Sequence, residues 1–157
     1  MTATGAGVTG AGVTAAGPRA RPVPARPDQP YWDGLREHRL LLPSCPDCAA
    51  FRYPPLPRCP RCLSAAVTWR ECGDRGTLWS WATARRAFAP GLGVPYTVVQ
   101  VELAVQPGLL IDSTLDAVGA DGGGQPLRLG LPVTAVYLDD PRGFTVHAFT
   151  PAGRSTA

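Results

Sequence analysis

Two short cysteine pairs, Cys45-Pro46-Asp47-Cys48 and Cys59-Pro60-Arg61-Cys62, constrain this chain more than any other feature. A CxxC turn brings two thiolates to one side of a metal ion, and a second turn closes a tetrahedron around it. Ten residues separate the pairs, which is zinc-ribbon spacing. An all-sulfur set of four marks a structural rather than a catalytic zinc. Cys45, Cys48, Cys59 and Cys62 are therefore the expected ligands of one structural Zn²⁺. Iron in a rubredoxin-like site uses the same four thiolates with proline inside the knuckle, and spacing does not separate the two metals. Two disulfides would suit a secreted mini-domain. No basic n-region introduces an apolar stretch before the cysteines, so a cytoplasmic chain with reduced thiols is expected. Cys72 stands ten residues beyond Cys62 and reads as a small buried hydrophobe. A nucleophilic cysteine would need a base, and the two histidines are His38, on an expected surface helix, and His147, inside a strand-like run.

With 157 residues, 45% of them hydrophobic, the chain suits one compact domain or two very small ones. Every one of the fifteen basic residues is arginine, but a net charge of +3 over this length is no nucleic-acid footprint. No run approaches the length of apolar sequence needed to cross a bilayer, so no membrane association is expected. Residues 1–30 hold five glycines, five prolines and no aromatic residue, a composition expected to remain a disordered tail.

From Tyr31 the pattern changes. Trp32, Leu35 and Arg39 recur at helical spacing, which predicts a short amphipathic helix over 31–42 that Pro43 ends. A zinc ribbon is expected over 43–72. Phe51 to Arg58, with three prolines and two aromatics, is expected to be one of its extended strands, and Val67 and Trp69 mark a strand leaving it. Residues 73–151 read as β throughout. Trp79 and Trp81 alternate on one face, followed by Val99, Val101, Leu103 and Val105, then Leu109, Ile111, Leu115 and Ala117. Val133, Ala135 and Tyr137 make a fourth face, and Phe144, Val146 and Ala148 a fifth. Gly/Pro/Asp clusters punctuate these runs, and residues 152–157 form a C-terminal tail. Five short strands fit a closed barrel better than a sandwich, because closure removes edges so few strands cannot protect. The expected fold class is thus mainly β, with an N-terminal helix, a rubredoxin-like zinc ribbon and a C-terminal five-stranded OB-type barrel.

Several motifs in this order resemble one family. They are Tyr31-Trp32-Asp33-Gly34-Leu35, then Leu40 to Cys48, Tyr53-Pro54-Pro55 and Cys59-Pro60-Arg61-Cys62. Gly76-Thr77-Leu78-Trp79-Ser80, Val94-Pro95-Tyr96, Val101-Glu102-Leu103, Leu129 to Val133 and Phe149-Thr150-Pro151 complete the set. Together they are similar to the zinc-ribbon plus OB-fold proteins known as domain of unknown function 35, associated with acyl-CoA metabolism. One departure is Ala49-Ala50 after the first knuckle, where members often carry glycine. The resemblance implies a non-catalytic accessory subunit of an acyl-CoA-transforming complex. It implies a thiolase-like, aldolase or hot-dog hydratase partner, whose acyl-CoA site the subunit helps to form.

The residues themselves agree with an accessory role. They offer no Ser/His/Asp set, no phosphate-cradling glycine loop and no carboxylate pair placed for acid–base work apart from Asp139-Asp140 at a turn. The alternative function is single-stranded nucleic-acid binding, with Trp79 and Trp81 as a stacking platform. Against it, residues 76–149 carry Arg85, Arg86, Arg128 and Arg142 against Glu102, Asp112, Asp116, Asp121, Asp139 and Asp140, a net of −2 that repels phosphate backbones. A single coenzyme A thioester suits local arginines better, because guanidinium groups hold its phosphates while an apolar slot takes its arm. Arg85, Arg86, Phe88, Pro95 and Tyr96, in and after the first barrel loop, are the candidate CoA- or partner-binding residues.

Overall fold

The computed structural model describes residues 20–86, 93–115 and 126–153. A single 3-10 turn, Arg26–Asp28, leads into helix α1, Gln29–Arg36, with Pro30 in its first turn, where the missing N–H costs nothing. The helix is shorter than the 31–42 expected from periodicity. His38, two residues past its end, takes a positive φ of 55°, and Leu41–Ser44 is instead strand β1. Gly34 explains its own presence: a Cβ there would lie 2.7 Å from Leu41 Cγ and 2.9 Å from the Arg39 carbonyl. The chain therefore doubles back on its own helix only because that position has no side chain.

β1 pairs antiparallel with β2, Thr68–Glu71, and the two form a separate two-stranded sheet. Both knuckles hang between these strands. The extended strand expected over Phe51 to Arg58 is reduced to one bridge between Phe51 and Ser44, since Pro54, Pro55 and Pro57 offer no N–H to a ladder.

The second sheet has the order β5-β4-β3-β6-β7, built from β3 Arg75–Ala84, β4 Tyr96–Leu103, β5 Leu110–Thr114, β6 Pro132–Asp140 and β7 Phe144–Pro151. Every ladder is antiparallel, and a parallel bridge from Leu115 to Phe149 brings the outer strands together, so the sheet curls into a nearly closed barrel. Gly76 sits where β3 pairs with both β4 and β6. A Cβ there would lie 2.5 Å from Val101 Cγ1 and 2.6 Å from the Glu102 carbonyl.

The barrel core collects Leu78, Val99, Val101, Leu103, Ile111, Leu131, Val133 and Phe149, and the same cluster reaches Leu35, Leu40, Leu42 and Phe51 of the helix and ribbon. Two face assignments from the sequence change. Leu78 pairs with Val101 but Trp81 with Val99, because a bulge lies between Leu78 and Ser80. Trp81 thus shares the inner face with Leu78, and Trp79 points out, so the two indoles do not form one platform. On β7 the residues opposite Ala135 and Tyr137 are Phe149 and His147. Phe144, Val146 and Ala148 therefore occupy the other face, although Ala148 is fully buried. Ala117 and Asp116 lie outside the described residues.

Candidate metal centre and its surroundings

The two knuckles are near copies of each other. Ala49 N–H donates to the Cys45 carbonyl and Leu63 N–H to the Cys59 carbonyl, both at 2.8 Å. Cys45 N–H in turn donates to Ala50 O at 2.9 Å and Cys59 N–H to Ser64 O at 2.8 Å. Each turn is closed by a residue in the left-handed region, Ala49 at φ 60° and Leu63 at φ 62°. Glycine takes that conformation without strain, whereas a side chain costs about 1 kcal/mol or more. The alanine departure noted from the sequence is thus a real conformational cost, repeated by leucine in the second knuckle.

Folding of these turns brings the Sγ atoms of Cys45, Cys48, Cys59 and Cys62 within 4.8 Å of one another. Cys45 and Cys62 are 3.5 Å apart, and Cys48 and Cys59 3.6 Å. A tetrahedron with Zn–S bonds of about 2.3 Å has edges of about 3.8 Å, so the spacing of the four thiols suits one zinc ion. They are separate thiols rather than disulfides. The Arg61 backbone N–H holds the Cys59 thiol down to about 6 despite burial. The Ser64 N–H also favours the Cys62 thiolate, but hydrogen bonding to Cys45 and Cys48 outweighs it and pushes Cys62 up to about 12. A bound metal ion would supply the positive charge that lets all four thiolates coexist, and protons would compete with it as pH falls.

Sequence reasoning missed two residues that frame the centre. Arg52 is 2% exposed and stretches across the loop that carries the second knuckle, donating to Leu56 O at 3.2 Å and Ala66 O at 2.5 Å. Gln106, in the turn after β4, accepts from Phe51 N–H at 2.8 Å and donates to Phe51 O at 3.1 Å. Its amide imitates a strand and ties ribbon to barrel. Arginine and glutamine in loops carry no periodic signal, so only the fold reveals them.

A second polar cluster seals α1 against the barrel. Tyr31 Oη lies 2.9 Å from His147 Nδ1, and His147 Nε2 is buried without a partner. Burial pushes His147 down to about 4 and raises Tyr31. His38 stacks on Tyr137 with ring centroids 5.2 Å apart and lies 3.0 Å from Asp139 Oδ2. Cys72 is 5% exposed, donates its thiol to Leu40 O at 3.2 Å and is pushed up to about 12 by burial. A thiol in that state is packing rather than a nucleophile. Of the candidate CoA- or partner-binding residues, Arg85, Arg86 and Pro95 are exposed, while Tyr96 is 9% exposed at the start of β4. No ion pair engages Arg85 or Arg86 among the described residues. Phe88 lies outside them.

Residues 32–68 match the ChsH2 rubredoxin-like zinc ribbon domain, and 69–138 match the ChsH2 C-terminal OB-fold domain. The chain belongs to the ChsH2, or DUF35, family. A solved structure titled Ltp2-ChsH2(DUF35) aldolase contains a chain that is 30% identical, superimposes with a TM-score of 0.71, and is covered over 99% of its length by 84% of this chain. A DUF35 protein of unknown function from Sulfolobus solfataricus, 14% identical with a TM-score of 0.50 over 73% of this chain and 78% of its own, shares the fold. Among curated relatives, a probable enoyl-CoA hydratase alpha subunit of Thermomonospora curvata is 30% identical over 80% of this chain. The 3-oxo-4,17-pregnadiene-20-carboxyl-CoA hydratase alpha subunit of Mycobacterium tuberculosis is 29% identical over 77%. This chain spans only 38% and 36% of those two proteins. No helix among the described residues is long and apolar enough to cross a membrane.

Proposed function

We infer that this chain is a non-catalytic accessory subunit that binds an aldolase-type, thiolase-like enzyme and contributes a wall to its acyl-CoA site. The supporting observation is the near end-to-end match to a chain of the Ltp2-ChsH2(DUF35) aldolase structure, 99% of which this chain covers. The hydratase alpha subunits are far longer than the matched segment, so a hydratase partner is the second choice. The described residues bring no nucleophile and base together: Cys72 is bonded to Leu40 O, and His147 to Tyr31. In this reading the zinc ribbon is a rigid scaffold. Arg85, Arg86 and Pro95 form the exposed surface that meets coenzyme A phosphates or the partner. A nucleic-acid role loses support from the bulge that sends Trp79 and Trp81 to different faces of the strand.

Co-expression with a thiolase-like aldolase, followed by acyl-CoA assays of each component and the mixture, tests the reading. The chain alone is expected to be inactive, and the complex active and stable. Arg85→Ala with Arg86→Ala is expected to raise KM for the acyl-CoA or weaken docking while leaving zinc content unchanged. Turnover by this chain alone that disappears in Cys72→Ser or His147→Gln would overturn it.

A further inference from the structure

Strand β3 is ten residues long, but only its beginning is paired on both sides. Arg75, Gly76 and Thr77 lie against Thr134, Val133 and Pro132 of β6. Leu78 ends this contact, donating to Leu131 O at 2.9 Å and accepting from Gly130 N–H at 2.8 Å. From Ser80 to Ala84 the strand is paired with β4 alone. Its other edge has no hydrogen-bond partner among the described residues. That edge, with Trp79, reads Trp-Ser-Trp-Ala-Thr-Ala, without a charge or a proline. Natural edges are normally protected by such residues, because a bare row of N–H and C=O groups recruits another strand. Here the apolar groups beside it are also open: Trp79 is 52% exposed, Trp81 39% and Leu129, next to Gly130, 68%.

We propose that this edge pairs with the same edge of a second copy of the chain, antiparallel about a two-fold axis through Ala82, joining two β5-β4-β3 sheets into one six-stranded sheet. Two-fold symmetry requires opposed residues to lie on one face, so the axis passes through a residue, and centres at Trp81 and Ala82 are the two that pair most of the segment. Centring on Trp81 would oppose Trp79 to Thr83, and the bulge has put those two on different faces. Centring on Ala82 opposes Ser80 to Ala84 on the outer face and Trp81 to Thr83 on the inner face, with only methyl groups meeting on the axis. Aromatic to β-branched pairs of this kind stabilise antiparallel ladders. The segment carries no charge that would repel its own copy. Arg85, just past its end, falls opposite position 79 of the second copy in this register rather than opposite another arginine. A strand from a different protein would satisfy the same backbone groups, but this chain supplies both halves of a matched register by itself.

Sedimentation velocity of the full zinc-loaded chain, from micromolar to several hundred micromolar, tests the proposal. A concentration-dependent dimer is expected. Ala82→Lys, at an exposed position, is expected to weaken association by about tenfold or more through like charges meeting on the axis, with zinc content and circular dichroism unchanged. Ala82→Glu is expected to do the same, and an equimolar mixture of the two variants to restore dimers. A wild-type chain that stays monomeric throughout would overturn the proposal, as would a dimer that survives both substitutions or a mixture that stays monomeric. Association seen only with an acyl-CoA enzyme subunit would assign the edge to a strand of that partner and equally overturn it.

Discussion

The ribbon and the barrel solve the problem of stability by different chemistry. The buried set of the ribbon's own is Cys45, Ala50 and Cys59, with Cys48 against it, which is too little apolar surface to hold a fold. The barrel encloses a run of leucine, valine, isoleucine and phenylalanine side chains at 0–4% exposure. One region therefore offers four thiols for an ion to hold together, and the other rests on the exclusion of water. The seam between them is made by Gln106 against Phe51 and by the helix residues that reach the barrel core.

The largest effect expected from this difference is metal removal. Chelation, or Cys59→Ser, takes away binding free energy on the order of 10 kcal/mol that is available only to the folded ribbon. Ribbon amides should lose hydrogen-exchange protection while β4 and β5 keep theirs, and elemental analysis should find one zinc per wild-type chain. Equal loss in both regions would mean that they fold as one unit. In the barrel, Phe149→Ala leaves a cavity at a fully buried site and should cost about 3–5 kcal/mol in denaturant melts, with four-thiolate metal binding retained.

Acid should act through the seam. His147 is held neutral, with its folded value near 4 against 6.5 in an unfolded chain. The unfolded state thus takes up a proton first, so stability is full above about pH 6.5 and falls between there and pH 4. The whole loss amounts to about 3 kcal/mol. His147→Gln, which keeps an acceptor for Tyr31, should flatten this part of the profile relative to wild type. Removing the amide clamp with Gln106→Ala orphans the Phe51 N–H and should cost about 1–3 kcal/mol. Exchange in the ribbon should then speed up more than exchange in the barrel. The smallest effect has the opposite sign. Ala49→Gly relieves a left-handed alanine and should stabilise the zinc-bound ribbon by up to about 1 kcal/mol, read as slower zinc transfer to a chelator.

Much of this molecule was legible in its sequence because the signals were local. Two CxxC pairs with ten residues between them pointed to four converging thiols without reference to the rest of the fold, and alternation over β4 placed Val99, Val101 and Leu103 inward as observed. What failed was information held by the partner of each residue. The phase of β3 after Leu78 depends on a bulge that exists only against β4, so alternation alone put Trp79 and Trp81 on one face. The inward face of β7 was set by pairing with β6, which made His147 and Phe149 the inner residues in place of Phe144 and Ala148. Helix α1 ended early because Gly34 lets Arg39 and Leu41 cross close over it, a contact between segments rather than a preference of either. Buried Arg52, the Gln106 clamp and the open edge of β3 have no signature along the chain. The convergence of the four thiols was written in residue spacing, whereas strand phase, polar clamps and free edges were decided only when distant segments met.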